Sequence, residues 1–217
     1  MNILDALKNN KGTVSSALGK EIATEILQGK FQLIEVIIPL VTYNPHNKPD
    51  KNIRAGAAKV VECVAEKQPD LISPYISQLI KALEMEEPQT KWMIFMALGY
   101  CAKENENNVK PALVYAKMYI NQKKDGQLCL LGAIDLFLGR YGELSEKNAA
   151  EVFPLLVESS DNTIYNEQDW ILEAFIRIAP NLTKTEKEVM VQIANEYREN
   201  SKKATQKRAE KLIKICV

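Results

Sequence analysis

The sequence has a single histidine, His46, which lies in a polar segment between asparagine and proline residues. This excludes metal sites that need several histidines, and it argues against a Ser-His or Cys-His nucleophile. The nine glycines are scattered, so no Gly-rich loop is available to bind phosphate. The acidic pairs Glu86-Glu87 and Glu104/Glu106 are interpreted as solvated charges at helix ends. We therefore predict no catalytic residue, no metal site and no cofactor.

Cysteine pairs and long apolar runs are also missing. The four cysteines occur singly, with no CxxC spacing, so we expect reduced core or half-buried residues at Cys63, Cys101, Cys129 and Cys216. No apolar run reaches the roughly 18 residues of a membrane helix. The first residues also lack the basic-then-apolar pattern of a secretory signal. We therefore expect a cytoplasmic protein with no membrane partner.

The sequence also lacks an overall excess of either charge, because 28 basic residues balance 28 acidic ones. The distribution is uneven, since residues 201–217 hold six Lys or Arg and one Glu, a net charge of +5. A protein that grips duplex nucleic acid usually has a wider basic excess. Contact with nucleic acid is therefore expected, if at all, only through this basic C-terminal segment.

Helical periodicity is what the sequence does contain. Apolar residues recur at helical spacing in blocks of about 12 to 17 residues, without sustained two-residue alternation. Four blocks superimpose on a polar column near the predicted helix starts, formed by Arg54, Lys91, Gln127 and Gln168. The positions three, six, seven, ten and eleven residues later are apolar in every block. An offset of 38 residues predicts a fifth copy beginning at Gln206, with the same character in each column.

Proline provides an independent sign of repetition. Pro39, Pro74, Pro111 and Pro154 precede the polar column by 15, 17, 16 and 14 residues, within or at the start of the preceding helix. A helix tolerates proline only in its first turn or where it kinks. Four prolines in register therefore indicate a repeated pair of helices rather than coincidence.

Paired helices with this period resemble HEAT repeats. The segment 73–83, followed by 91–99, carries the pattern best, although Glu86-Glu87-Pro88 stands where an inter-helix aspartate is usual. The resemblance implies an all-α fold, a right-handed α-solenoid of about five HEAT-like helix pairs in one continuous domain. The predicted repeats are residues 29–68, 69–106, 107–143, 144–181 and 182–217. Residues 1–28 are predicted to form two capping helices, 3–9 and 13–28.

One side of each second helix is a candidate binding surface. Positions one, five, eight and twelve residues after the polar column lie on this side. The resemblance to HEAT solenoids implies that this side of the second helix lines the concave face. In the second and third repeats most of the residues there are apolar or small, including Trp92, Met96, Gly99, Leu128 and Gly132. We predict a groove for an apolar anchor of a peptide or helix, flanked by Glu62 and Asp135, with the glycines allowing close approach. The alternative is that these helices are buried all round and the same residues are core.

The basic C-terminal helix offers a second surface. Lys207 and Lys211 align with Asp169 and Glu173 of the preceding repeat, so ion pairs between neighbouring helices are one interpretation. The other is that Lys207, Lys211 and Lys214 contact an anion or an acidic partner. Trp170 falls in a mostly apolar column and is predicted to be core.

The pattern favours a non-catalytic scaffold or adaptor that binds a peptide or helix of another protein on its concave face, and not an enzyme. The alternative is a DNA-binding or DNA alkylation-repair-like HEAT protein, because one family of alkylpurine glycosylases is built from HEAT-like pairs. Residues 97–104 are vaguely similar to one helix of that family, but its aromatic-rich segment with a catalytic aspartate has no counterpart. Homodimerisation is a further possibility, because the last helix ends at Ile215-Cys216-Val217 without a polar cap.

Overall fold

The structure is a computed structural model that describes residues 2–10, 16–44, 50–122, 128–161 and 168–217. Within these ranges it contains thirteen α-helices and four short 3-10 segments, and no strand. The helices group into two compact units, Met1–Ala112 (unit 1) and Leu113–Val217 (unit 2). The predicted repeat boundaries remain a prediction; the helices described below fall between them, except that Glu106–Val109 crosses the boundary at 106/107.

Unit 1 is built around one long helix of 17 residues that packs mainly on two others. Its helices are α1 (Ile3–Asn9), α2 (Ser16–Leu27), α3 (Gln32–Ile37), α4 (Lys51–Lys67), α5 (Ile76–Ala82), α6 (Pro88–Cys101) and α7 (Glu106–Val109). The central helix α4 packs on α2 and on α6. The helices α1 and α2 correspond to the two helices predicted for the N-terminal segment, and residues 13–15 lie outside the described ranges.

Two contacts show that α4 and α6 run in the same direction. Arg54, in the first turn of α4, binds Glu87, which directly precedes α6. At the other end, the Cys101 thiol of α6 lies 3.7 Å from the carbonyl oxygen of Pro69, just beyond α4. The first turns of α4 and α6 therefore lie side by side, and so do their last turns. This is the parallel stacking expected of successive second helices.

Unit 2 shows both kinds of pairing that a helical repeat requires. Its helices are α8 (Ala112–Asn121), α9 (Leu128–Gly142), α10 (Glu146–Asp161), α11 (Gln168–Ile178), α12 (Lys184–Glu196) and α13 (Lys203–Cys216). Helices α9 and α10 are antiparallel, because Asp135 binds Ser159 while Tyr141 binds Glu151. By contrast, α11 and α13 are parallel neighbours, linked at corresponding positions through Thr205 to Asp169 and Arg208 to Glu173.

Two helix starts in unit 2 follow the capping pattern of the sequence. The Ser145 hydroxyl accepts a hydrogen bond from the backbone N–H of Asn148 and so caps α10. Thr183 and Glu186 form a capping box at the start of α12, each side chain accepting from the other residue's backbone N–H. Local sequence therefore specifies where these two helices begin.

The predicted apolar columns form the core. All twenty column residues of the first four copies are at most 1% exposed. In the fifth copy Ala209 and Leu212 are fully buried, whereas Val217 is 97% exposed. The predicted core columns of the first four copies are therefore buried, and the last copy is only partly covered.

Three of the four prolines in register lie where a first helix is interrupted. Pro39 lies in a 3-10 turn that follows α3, Pro74 lies in a 3-10 turn before α5, and Pro111 separates α7 from α8. Because proline has no N–H and crowds the preceding turn, the helix breaks at these three places. Pro154 alone lies inside a continuous helix, α10. All four prolines are solvent-exposed.

Candidate partner-binding surfaces

The predicted surface of unit 1 centres on helix α6. Most of this helix is buried, including Met93, Ile94 and Phe95. Trp92 and Met96, one turn apart, are only half-buried, whereas Gly99 on the following turn is buried. Two large apolar side chains of the predicted groove therefore remain partly accessible to solvent.

On the neighbouring helix α4, the predicted flanking carboxylate already has a partner. Lys59 Nζ lies 2.8 Å from Glu62 Oε2, and the two side chains are 15% and 12% exposed. Burial by itself would lower the pKa of Lys59, but the hydrogen bond and negative charge of Glu62 outweigh it and raise that pKa overall. Glu66, one turn further along α4, is exposed.

A buried ion pair fixes the start of α4 against the start of α6. Arg54 Nε donates to Glu87 Oε2 at 3.0 Å, Arg54 Nη2 donates to Glu87 Oε1, and Arg54 Nη1 donates to the carbonyl oxygen of Tyr43 at 2.7 Å. Burial lowers the pKa of Arg54 from its ordinary value, opposed by the charges of Glu86 and Asp50. The interpretation of Glu86-Glu87 as solvated charges is wrong for Glu87, because its carboxylate is the buried partner of Arg54. The sequence contained a signal for this pair that was missed. Arg54 is a basic residue of the polar column, and Glu87 is an acidic residue at the start of the next second helix.

In unit 2, the glycine of the predicted groove is covered by a side chain of a neighbouring helix. A Cβ atom added to Gly132 of α9 would lie 1.9 Å from Trp170 Cε3 of α11, so the indole occupies the space beside the glycine. The expectation that Gly132 leaves room for a ligand backbone is therefore corrected, since it leaves room for Trp170. Leu128 is the first residue of α9, and its side chain lies outside the described residues.

Asp135, the second predicted flanking carboxylate, is also internal. Its side chain belongs to a residue only 3% exposed, and Oδ1 accepts a hydrogen bond from the Ser159 hydroxyl at 2.7 Å. The expectation that Asp135 flanks a ligand is corrected, because its carboxylate ties α9 to α10. A buried carboxylate without such a donor would be strongly unfavourable.

Glycine also lets α9 and α11 approach closely further along. A Cβ on Gly139 would lie 2.7 Å from the Cα atom of Ala174, and one on Gly142 would lie 2.6 Å from Ile178 Cγ2. Backbone-to-backbone packing of this kind is open only to residues without a side chain. This side of α9 therefore serves helix packing, which is the alternative the sequence had left open.

The acidic residues of α11 pair with arginines rather than with the aligned lysines. Arg208 lies 3.5 Å from Asp169 and 3.9 Å from Glu173, and Arg177 lies 3.4 Å from Glu173 and 3.0 Å from Glu143. Lys207, Lys211 and Lys214 are exposed, at a spacing that places them on one side of α13. Within the described residues no ion pair involves these three lysines.

The cysteines differ in their surroundings. Cys101 is fully buried, and burial raises the pKa of its thiol to about 12. Cys63 and Cys216 are half-buried, whereas Cys129 is exposed, unlike the core or half-buried position expected for it. No group of three or more His, Cys, Asp or Glu side chains suited to a metal ion occurs among the described residues. No described helix is both long enough and apolar enough to cross a membrane.

These features define an all-α helical-repeat protein in which second helices stack in parallel within each unit. No family model matches the sequence, and no curated protein matches it. Among solved structures, an engineered protein from the Northeast Structural Genomics Consortium is 15% identical over 100% of this chain and 97% of that chain, with a TM-score of 0.66.

Two designed armadillo repeat proteins are also similar. One is 11% identical over 99% of this chain and 98% of its own, and the other is 12% identical over 93% and 90%, each with a TM-score of 0.70. The second was solved in complex with the peptide (KR)4. The likenesses show that the chain has an armadillo- and HEAT-like helical repeat fold, an all-α solenoid.

Proposed function

We propose that this protein is a non-catalytic interaction scaffold that binds a peptide segment of a partner protein on the α4–α6 face of unit 1. This face is defined by Lys59, Glu62, Glu66, Trp92 and Met96, which the repeat register places on the same side of two parallel helices. The observation that carries the proposal is the pair Trp92 and Met96, which stays half-buried although the residues between them, 93–95, are buried. Tryptophan is enriched among residues that dominate binding energy.

The character of the face suggests the chemistry of its ligand. Trp92 and Met96 suit an apolar side chain, and methionine adapts its shape to irregular partners. Glu66 is exposed and forms only an exposed ion pair with Lys67, at 3.5 Å, so it can also contact a cation of the ligand, whereas Glu62 is held by Lys59 in a much less exposed pair. The designed armadillo repeat protein in complex with (KR)4 supports the idea that such a scaffold accepts a basic peptide. The proposed ligand is a segment that combines an apolar residue with lysine or arginine.

Fluorescence anisotropy with dye-labelled octapeptides tests this proposal. The probes are (KR)4, an alternating lysine–leucine octapeptide and an alternating glutamate–leucine octapeptide. We expect the lysine–leucine peptide to bind most tightly, and the double variant Trp92→Ala, Met96→Ala to lose at least about tenfold in affinity, which is 1.4 kcal/mol. Trp170→Phe is the matched control, because it changes the other tryptophan. Equal binding by the double variant, or a preference for the glutamate peptide, would show the proposal to be wrong.

A DNA-binding function is the second candidate, favoured by the three exposed lysines on one side of α13. Binding through Lys207, Lys211 and Lys214 would neutralise about three phosphates, so log K would fall against log salt with a slope of about −2.7. The measurement is anisotropy of a labelled DNA duplex at several salt concentrations, for the wild type and for a variant with all three lysines changed to Gln. A slope unaffected by the triple change would remove this candidate without affecting the peptide proposal.

A further inference from the structure

The first helices of unit 2 enclose a groove that the proposed function does not use. The groove lies between α8 and α10 and has a volume of about 430 Å³, within the range of ligand pockets of about 300–1,000 Å³. Its apolar lining comes from Leu113, Val114, Pro154 and Leu155. Val114 is 72% exposed, and Met118, one turn further along α8, is 39% exposed.

A corresponding groove in unit 1 provides an internal comparison. It has a volume of about 450 Å³, and its lining includes Pro74, Ile76 and Ser77 near α5 and Pro111 before α8. The repeat offset of 37 residues that relates Pro74 to Pro111 also relates Ile76 to Leu113 and Ser77 to Val114. These two grooves therefore have equivalent linings, one with an exposed serine and the other with an exposed valine at the same position.

Burial of apolar surface on folding does not explain why position 114 is a valine. A side chain that is 72% exposed contributes little buried apolar area, and the equivalent position is occupied by serine. Apolar residues that cluster on an exposed surface, here Val114, Met118, Pro154 and Leu155, usually mark an interaction site. The apolar character of this groove therefore points to a ligand rather than to stability.

The charges around the groove indicate what the ligand carries. Glu151 and Glu158 line it from α10, and Lys117 lines it from α8, so the lining has a net charge of −1. The two glutamates are seven residues apart on one helix, about 10.5 Å along its axis at 1.5 Å per residue. A complementary partner carries apolar side chains for the groove and a basic side chain that matches the net negative charge of its lining.

We propose that the α8–α10 groove is a second docking site, which accepts a short amphipathic helix of a partner protein with Leu, Ile or Met one turn apart and at least one Lys or Arg. Insertion of an amphipathic helix into an apolar groove is a recurrent mode of peptide recognition. This site is separate from the α4–α6 face, so it goes beyond the proposed function and does not depend on it.

Selection from a random dodecapeptide library on the wild-type chain tests the proposal. We expect the enriched peptides to combine apolar residues at a spacing of three or four with lysine or arginine. The tightest peptide, synthesised with a dye, should bind Val114→Ser at least tenfold more weakly, because that variant carries the serine of the equivalent groove. Glu158→Lys should weaken binding as well, and more strongly at low salt.

Val36→Ser is the matched control, since Val36 is also exposed, at 49%, and lies in unit 1. It should leave the affinity unchanged, and circular dichroism should confirm that every variant is folded. Enrichment of acidic peptides, equal binding by Val114→Ser, or no enrichment would overturn the proposal. A wild-type dimer in light scattering that becomes monomeric in Val114→Ser would assign the groove to a second copy and would also overturn it. The double variant Trp92→Ala, Met96→Ala should bind the selected peptide normally, which separates this test from that of the proposed function.

Discussion

The two tryptophans of the chain occupy neighbouring positions of the repeat but have different surroundings. Trp92 follows the polar column of its repeat by one residue, whereas Trp170 follows its own by two. One residue turns a side chain by about 100° around a helix. Both tryptophans are half-buried, so Trp170 is not the core residue that its column predicted, but Trp170 of unit 2 packs beside Gly132 of α9, while Trp92 of unit 1 lies on the predicted binding side of α6. A shift of one residue in the repeat therefore changes the role of a tryptophan from packing between helices to part of a candidate binding surface.

The two units also differ in how deeply their ion pairs are buried. Unit 1 buries one ion pair, Arg54 with Glu87, with side chains 4% and 9% exposed. Unit 2 instead has a chain of partly exposed pairs, in which Arg177 and Arg208 share Glu173. Buried pairs are sensitive to the loss of one partner, whereas exposed pairs contribute little. The comparison predicts unequal responses to equivalent substitutions.

The largest effect is expected from Glu87→Ala, because it leaves Arg54 buried with only one carbonyl acceptor. Breaking a buried pair in this way costs about 3–5 kcal/mol of unfolding free energy, to be measured by urea denaturation. The double variant Arg54→Met, Glu87→Leu should recover much of the loss, since no unpaired charge remains. A loss below about 1 kcal/mol for the single variant would contradict the buried pair.

Gly132→Ala should have the next largest effect, a loss of about 1–3 kcal/mol, because the new methyl group meets the Trp170 indole. The measurement is again urea denaturation, combined with tryptophan fluorescence. In a Trp170→Ala background the same substitution should be nearly neutral, since the space is then empty. An equal loss in both backgrounds would place the cause in the α9 backbone rather than in the packing with Trp170.

A smaller effect is expected from alkaline pH through Cys101. Burial raises the pKa of this thiol from 9.0 to about 12, so the folded state holds the proton more tightly than the unfolded state. Its contribution to stability is therefore fully present below pH 9 and is lost as the pH rises from 9 toward 12, at about 1.4 kcal/mol per pH unit. The melting temperature of Cys101→Ser should fall less between pH 8 and pH 10 than that of the wild type. Parallel pH profiles would contradict the assignment.

The smallest effect is expected from Glu173→Gln in unit 2. Its contacts with Arg177 and Arg208 are partly exposed, so the loss should be below about 1 kcal/mol and should shrink further in high salt. Urea denaturation at two salt concentrations is the measurement. A loss as large as that of Glu87→Ala would remove the distinction between the two units.

Much of the fold could be predicted from the sequence, because local patterns determine helices and their buried stripes. The columns that begin at Ala57, Ile94, Leu130 and Ile171 are buried as predicted, and the capping box at Thr183 starts a helix. The candidate site was predicted less well. Trp92 and Met96 are partly accessible, but Gly132 and Asp135 contact Trp170 and Ser159 of neighbouring helices. Periodicity within one helix does not specify which residue of another helix lies opposite.

The sequence by itself determined the helical repeat, its period and its core columns, since burial of one apolar stripe per helix follows from the 3.6-residue turn. Only the tertiary structure decided the outcomes that depend on contacts between residues distant in the chain. It placed Glu87 beside Arg54, Trp170 beside Gly132, and exposed Val114 in a groove whose equivalent contains a serine. These outcomes depend on how helices from different repeats meet, and that geometry is absent from any single segment of the chain.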